Sequence, residues 1–413
     1  MIFKDLNFKN EFFLATAFSL FGIIPLVPSK AIPTLTGFAL LLIIIHSLKL
    51  KKIKSKKSLF LLNSSLFLIL LITLKDNFNF LTLKKLEQMC SLLIFPLVFY
   101  FFQREDNYKI WLGFELWKKI FMFSSVLYVF VCFYLAYKYI NPKYPNFDAN
   151  FFRQAILEST YFSRDPVYIS LYLNIAIFFC IDFFLRAVKP IYKFLHILFI
   201  FILLSLVFVL QVKMAIIALV ICVTILLFLQ LELRKFLITT FIIVILPLIL
   251  VTQSNSMKFN RFSELFSTNS LIENTQYNSV FVHKQTIICA LEVFKSHFFF
   301  GVGLENSNSY LDSCVRSIYK HNKDVVYNSH NQYLSYALHS GILGFILIII
   351  VLFIALKQSF KNDYFLFVIL LYFCISFFTE NILERQPGLI LFAFLLNITP
   401  NIRTKVAKSL MSN

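Results

Sequence analysis

The chain has 413 residues, of which 59% are hydrophobic, 18% aromatic and 15% charged, and its 39 Lys and Arg against 21 Asp and Glu give a formal charge of +18. A mean hydropathy of +0.77 excludes a soluble globular domain. With 53 Phe but eight Gly, and without the alternation of a β-barrel, the composition describes an all-α polytopic membrane protein.

In chain order, apolar runs long enough for transmembrane helices fall at about 12–28, 32–48, 58–74, 87–103, 118–139, 166–185, 194–212, 213–232, 236–252, 335–356, 363–379 and 386–400, which makes about twelve. The leading MIFKDLNFKN is followed by no small-residue cleavage site, so the first run reads as an uncleaved span. Alternate connections collect the cations: Lys49 to Lys57, then Arg104, Lys109, Lys118 and Lys119, then Arg186, Lys189 and Lys193, then Arg234 and Lys235, then Lys357 and Lys361, then Arg403, Lys405 and Lys408. Twelve spans place all of them on one side, the cytoplasm, with both termini cytoplasmic. The excess charge is thus topology and attraction to membrane lipids, not a nucleic-acid surface. The chain divides into residues 1–252 with nine spans, a large outward loop over 253–334, and residues 335–413 with three spans and a short cytoplasmic tail.

The outward connections carry the chemistry. Within the large loop the spacing predicts a helix over Val280–Phe298, with Ile287, Ala290, Leu291, Phe294 and Phe298 on one arc beside His283, Lys284 and Lys295. These cations either snorkel from a helix lying on the headgroups or aim into a cavity. Gly301, Gly303, Gly341 and Gly344 are half of all glycines in the chain. That clustering marks either a plain turn or close approach of backbone amides to a ligand. Ala337, Gly341 and Gly344 also leave room for a neighbouring helix. Asn328 or Ser329 can cap the helix that follows, which places His330 and Asn331 in its first turn, where the dipole keeps an imidazole neutral. Other unusual charges share that side: Arg164 beside Asp165, Lys213 in the tight turn between two spans, and Glu380, Glu384 and Arg385 in the last outward turn. For Arg164 and Arg385, a salt bridge to the adjacent acid stands beside a functional role. Cys289 and Cys314 are the two cysteines of the outward loop and can in principle pair.

The segment HNQYLSYALHSGILGF, preceded by ALEVFKSHFFFGVG, resembles the signature region of bacterial O-antigen ligases and the related O-antigen and exopolysaccharide polymerases. TENILERQPGLILFAF and QVKMAIIAL resemble two further stretches of that family, so the resemblance covers roughly the C-terminal half. It implies a GT-C-like membrane glycosyltransferase of the bacterial inner membrane, with the outward side facing the periplasm. Such an enzyme takes a glycan from undecaprenyl pyrophosphate and passes it to a lipid A-core sugar (ligase) or to another lipid-linked glycan (polymerase), without metal or other cofactor. The family's conserved His falls on His330, its helix-start Arg on Lys213, and a second Arg on His283 or Lys284. Asn331 and Tyr333 lie in the same HN-x-Tyr-Leu segment.

The chemistry such a reaction needs is a base for the acceptor hydroxyl and positive charge on the leaving diphosphate, effects each worth about 2–4 kcal/mol. His330 is the expected base. Arg164, Lys213 and Lys284 are the expected cations, with His283, Asn331, Tyr333, Glu380 and Arg385 as further substrate contacts. No Asp-x-Asp pair occurs to hold a nucleotide-sugar through a metal, which favours a lipid-linked donor. A polysaccharide transporter or flippase is the reading from another class, though two similar halves are not evident. A non-catalytic scaffold is a third.

Overall fold

The computed structural model describes residues 8–48, 57–71, 73, 80–102, 107–139, 149–159, 162–232, 279–318 and 327–402. Among them there is no strand. The α-helices are α1 (Phe8–Gly22), α2 (Ile32–Leu48), α3 (Lys57–Leu71), α4 (Phe80–Met89), α5 (Ser91–Phe102), α6 (Asn107–Tyr139), α7 (Ala149–Leu157), α8 (Pro166–Arg186), α9 (Pro190–Leu210), α10 (Lys213–Gln230), α11 (Ser279–Ser296), α12 (Gly303–Ile318), α13 (Gln332–Asn362), α14 (Tyr364–Ser376) and α15 (Gln386–Ile398). Among the described residues, six helical stretches are long and apolar enough to cross a membrane: Thr82–Phe102, Tyr108–Lys138, Pro166–Arg186, Pro190–Leu210, Lys213–Gln230 and Gln332–Asn362. Glu11–Gly22, Ile32–Leu48, Lys57–Leu71, Tyr364–Ser376 and Gln386–Ile398 are shorter apolar helices.

Each apolar run read from the sequence coincides with one of these helices, except the run at 236–252, which lies outside the described residues. The largest boundary difference is α6, which begins at Asn107 instead of near 118. Its first turns carry charges that hydropathy alone reads as a loop, yet these charges are neutralised in place. Lys109 Nζ lies 3.1 Å from Glu11 Oε1. Glu115 pairs with Lys118 and, at 3.0 Å, with Arg186. Lys118 also sits 2.7 Å from Asp182. The amphipathic helices α7 and α12 escaped the hydropathy reading because they are short and polar on one face.

The buried interior is unusually aromatic. Phe394 of α15 packs with Phe21 at 4.8 Å and with Trp117 at 4.9 Å between ring centroids. Trp117 in turn meets Phe179 of α8 edge-on at 5.1 Å. Between helices already surrounded by lipid, such packing contributes what burial from water cannot, about 0.5–1.5 kcal/mol per pair.

The helix ends form two clusters. At one, the Glu115, Lys118, Asp182 and Arg186 network, the end of α10 at Gln230 and the α13–α14 junction at Asn362–Asp363 line a cavity of about 300 Å³. At the other, the start of α8, the α9–α10 turn, the end of α14 and the approach to α13 surround the cavity described below. The 21 residues of α8 separate the two ends by roughly 30 Å at ~1.5 Å per residue.

The glycine cluster has a structural explanation. Helix α13 is kinked at Ser340 and Gly341, where Gly341 takes φ +66°. The kink frees a carbonyl and an amide, and the turn between α11 and α12 fills both: Val302 N–H donates to Leu338 O at 2.7 Å and Ile342 N–H donates to Phe298 O at 2.8 Å. A Cβ on Gly301 would lie 2.4 Å from Leu338 O, and one on Gly341 would lie 2.2 Å from Phe299 O. The close approach is therefore between two stretches of this chain's own backbone. A Cβ on Gly344 would lie 2.5 Å from Tyr336 O of its own helix, across the kink.

Candidate active site

The segment before α13 is built differently from the sequence expectation. Asn331, not Asn328 or Ser329, is the N-cap, and its side chain accepts from Leu334 N at 3.0 Å. His330 therefore stands outside the helix, in the left-handed region at φ +44°. Its N–H donates to Asn328 Oδ1 at 3.1 Å, a short side-chain turn that stabilises a conformation costly for a residue with a Cβ.

Five hydrogen bonds then fasten this segment to the end of α14 and the turn after it. Gln332 N–H donates to Phe377 O at 2.8 Å, Asn331 Nδ2 to Phe378 O at 3.1 Å and Tyr333 Oη to Cys374 O at 2.9 Å. Leu383 N–H donates to Gln332 Oε1 at 2.7 Å, and Ser329 Oγ to Asn381 Oδ1 at 3.1 Å. The fastening brings Glu380 beside His330, with Oε2 3.7 Å from Nδ1. That nitrogen is buried and has no hydrogen-bond partner among the described residues.

Around the pair lies a cavity of about 450 Å³, lined among others by Arg153, Gln211, Lys213, His283, His330, Thr379 and Glu380. Gln211 turns the chain between α9 and α10 in the left-handed conformation, φ +48°. Lys213 opens α10, and the cavity wall over Val212–Ala215 is that helix's first turn. First-turn amides lack carbonyl partners within their own helix and favour an anion. The start of α10, and not the first turn of α13, lines this cavity. Arg153, from α7, reaches the same turn by donating Nη1–H to Leu210 O at 3.2 Å.

His283 of α11 packs its ring 4.1 Å from that of His330, centroid to centroid, at 51°. Burial, followed by the proximity of His330 and Lys213, pushes the His283 imidazole down to about 4. It is a neutral neighbour of His330 near pH 7.

Two walls of the cavity continue into an apolar groove of about 530 Å³. Ile287 and Phe378 line both spaces. The groove runs along α13 past Asn331, Tyr333, Phe345, Leu352 and Leu356.

Of the residues singled out in the sequence, His330, Lys213, His283 and Glu380 meet in one cavity, while Asn331 and Tyr333 line the apolar groove. Arg164 does not reach either. Its guanidinium donates to Val27 O at 2.6 Å and Pro25 O at 3.1 Å and stacks over Tyr172 and Tyr128 at 4.8 and 5.2 Å, so it holds the chain between α1 and α2 against α8. Asp165, its expected ion-pair partner, instead caps α8 through Val167 N at 2.9 Å. Lys284 and Arg385 are exposed and outside the lining. Arg153 and Gln211 were missed. The signal for Arg153 was a lone cation in the amphipathic stretch ANFFRQAIL of an outward connection. Cys289 and Cys314 form a disulfide joining α11 to α12.

Helices long and apolar enough to cross a membrane describe a multi-pass membrane protein, and a polar cavity at one end of them lies beside an apolar groove. Residues 197–349, from α9 into α13, match the family model described as O-antigen ligase, so that region is similar to O-antigen ligases. The matched stretch contains Lys213, His283 and His330 but neither Arg153 nor Glu380. No curated protein matches the chain.

Proposed function

We propose that the protein is a membrane glycosyltransferase that moves a glycan from undecaprenyl pyrophosphate to a hydroxyl of a lipid A-core sugar, an O-antigen ligase. The observation that carries this reading is the joining of the two spaces. A cavity with His330, Glu380, Lys213 and Arg153 suits a diphosphate and a sugar hydroxyl, and the apolar groove sharing Ile287 and Phe378 suits the polyprenyl chain.

In this reading the acceptor hydroxyl attacks the anomeric carbon and gives its proton to His330. Glu380 then faces the resulting imidazolium. As the bond from anomeric carbon to diphosphate oxygen breaks, negative charge gathers on the leaving group, where Arg153, Lys213 and the first-turn amides of α10 receive it. One displacement of this kind inverts the anomeric centre. Arg153 also answers a difficulty in the sequence, since Lys213 alone lacks the two-pronged geometry that favours guanidinium for phosphate. The disulfide in the α11–α12 unit supports an oxidising compartment, and hence a periplasmic orientation of the cavity.

Purified protein in liposomes, given lipid-linked glycan and lipid A-core, is expected to yield glycosylated lipid A-core and free undecaprenyl pyrophosphate. Polymerisation of the lipid-linked glycan with lipid A-core untouched would overturn the ligase reading in favour of a polymerase. Movement of intact donor across the bilayer without transfer would indicate a flippase.

A further inference from the structure

A second polar space of about 170 Å³ is lined by Lys85, Gln88, Ser307, Asn308, His339 and Glu384 among others. Glu384 belongs to this space and not to the cavity that holds His330. A carboxyl that is partly withdrawn from solvent, as Glu384 is, is costly unless its hydrogen bonds are made. Here Oε1 accepts two, from Ser335 Oγ at 2.6 Å and from Asn381 Nδ2 at 2.8 Å. Neither donor is a cation, and the nearby Lys85 ammonium is directed to Leu304 O at 2.9 Å.

These bonds close a ring around the reacting pair. Ser335 lies one turn into α13, and its N–H donates to Asn331 O at 2.8 Å. Asn381, immediately after Glu380, accepts from Ser329 Oγ at 3.1 Å, and Ser329 immediately precedes His330. Each member of the His330–Glu380 pair is therefore flanked by a residue bonded to the other's neighbour, and Glu384 ties that bridge to the body of α13.

We infer that Glu384 is a positioning residue, which holds the turn carrying Glu380 against the segment carrying His330 through the geometry of its Oε1 atom. The inference rests on the proposed role of His330 as base. It makes a specific demand: the acceptor oxygen matters and the carboxylate charge does not, because both bonds arrive at a single oxygen that a carboxamide also offers.

The test is steady-state transfer by full-length protein in liposomes, with kcat and donor KM measured for the wild type, Glu384→Gln, Glu384→Leu, Ser329→Ala and His330→Ala at matched insertion. Glu384→Gln is expected within about 3-fold of wild-type kcat. Glu384→Leu is expected to lose roughly 100-fold in kcat, the scale of misplacing one general base, with donor KM within about 3-fold because the anion-binding wall is untouched. Should Glu384→Leu not insert, Ser329→Ala carries the test, with about a 10-fold loss in kcat and unchanged KM. Wild-type kcat in Glu384→Leu or, failing its insertion, in Ser329→Ala would overturn the inference, as would a loss in Glu384→Gln as deep as that in Glu384→Leu. If His330→Ala abolishes transfer while Glu384→Leu does not, this inference alone fails. Transfer surviving His330→Ala overturns the base assignment and the positioning role with it.

Discussion

His330 and Glu380 approach to 3.7 Å between Nδ1 and Oε2 although α13 and α14, a complete helical hairpin, separate them in sequence. The contact depends on the hydrogen bonds that fasten residues 329–333 to residues 374–383, and it places a carboxylate where an imidazolium would form. Glu380→Gln is expected to lower kcat for glycan transfer by roughly 10- to 100-fold, with smaller change in donor KM. An unchanged kcat would remove Glu380 from the reaction.

Arg153 and Arg164 make opposite predictions despite lying on the same connection between α6 and α8. Arg153 lines the cavity, so Arg153→Ala is expected to cost on the order of 100-fold in transfer, with partial recovery in Arg153→Lys. Arg164 is 4% exposed and occupied by backbone carbonyls and two tyrosine rings. Arg164→Ala leaves those acceptors unpaired and is expected to destabilise the protein by about 2–4 kcal/mol, read as a lower melting temperature in detergent. Protein that remains folded should retain near-normal donor KM.

The depressed value at His283 links stability to pH. The folded protein keeps this imidazole neutral down to about 4, whereas the unfolded chain takes up a proton near ~6.5. Above that value the group contributes nothing. As pH falls between the two, the unfolded state binds the extra proton and stability declines, by up to about 3 kcal/mol once both values are passed. His283→Asn is therefore expected to raise the melting temperature relative to wild type at pH 4.5 and not at pH 8. Equal behaviour at both would show that His283 is not held neutral.

Gly341 tests the docking of the α11–α12 turn into the kink of α13. Its φ of +66° and the 2.2 Å approach of a Cβ to Phe299 O leave no room for alanine without moving backbone. Gly341→Ala is expected to destabilise by more than about 2 kcal/mol and to make a protease site near residues 297–302 accessible. Gly37, which has nothing within 4 Å of such a Cβ, serves as the control.

The membrane class was legible because hydropathy and cation clustering are properties of composition and order. His330 was legible because a polar HN pair runs straight into an apolar helix. Its surroundings were not. Whether a cation such as Arg153 or Arg164 faces a cavity or a row of carbonyls depends on the packing of α1, α7, α8 and α9, which local sequence does not report. The same holds for the start of α6, whose charges hydropathy assigns to a loop and whose partners Glu11, Asp182 and Arg186 lie on other helices. The Gly301 and Gly341 cluster showed that backbone was constrained. Only the structure identified the two strained stretches as partners of one another.

The most direct test of the account is single-turnover transfer from undecaprenyl-pyrophosphate-linked glycan to lipid A-core by wild-type and His330→Ala protein in liposomes, with donor binding measured in parallel. With His330 as the base, His330→Ala is expected to bind donor within about 3-fold of wild type while transfer slows by roughly 100-fold or more. Transfer at the wild-type rate in that variant would contradict it.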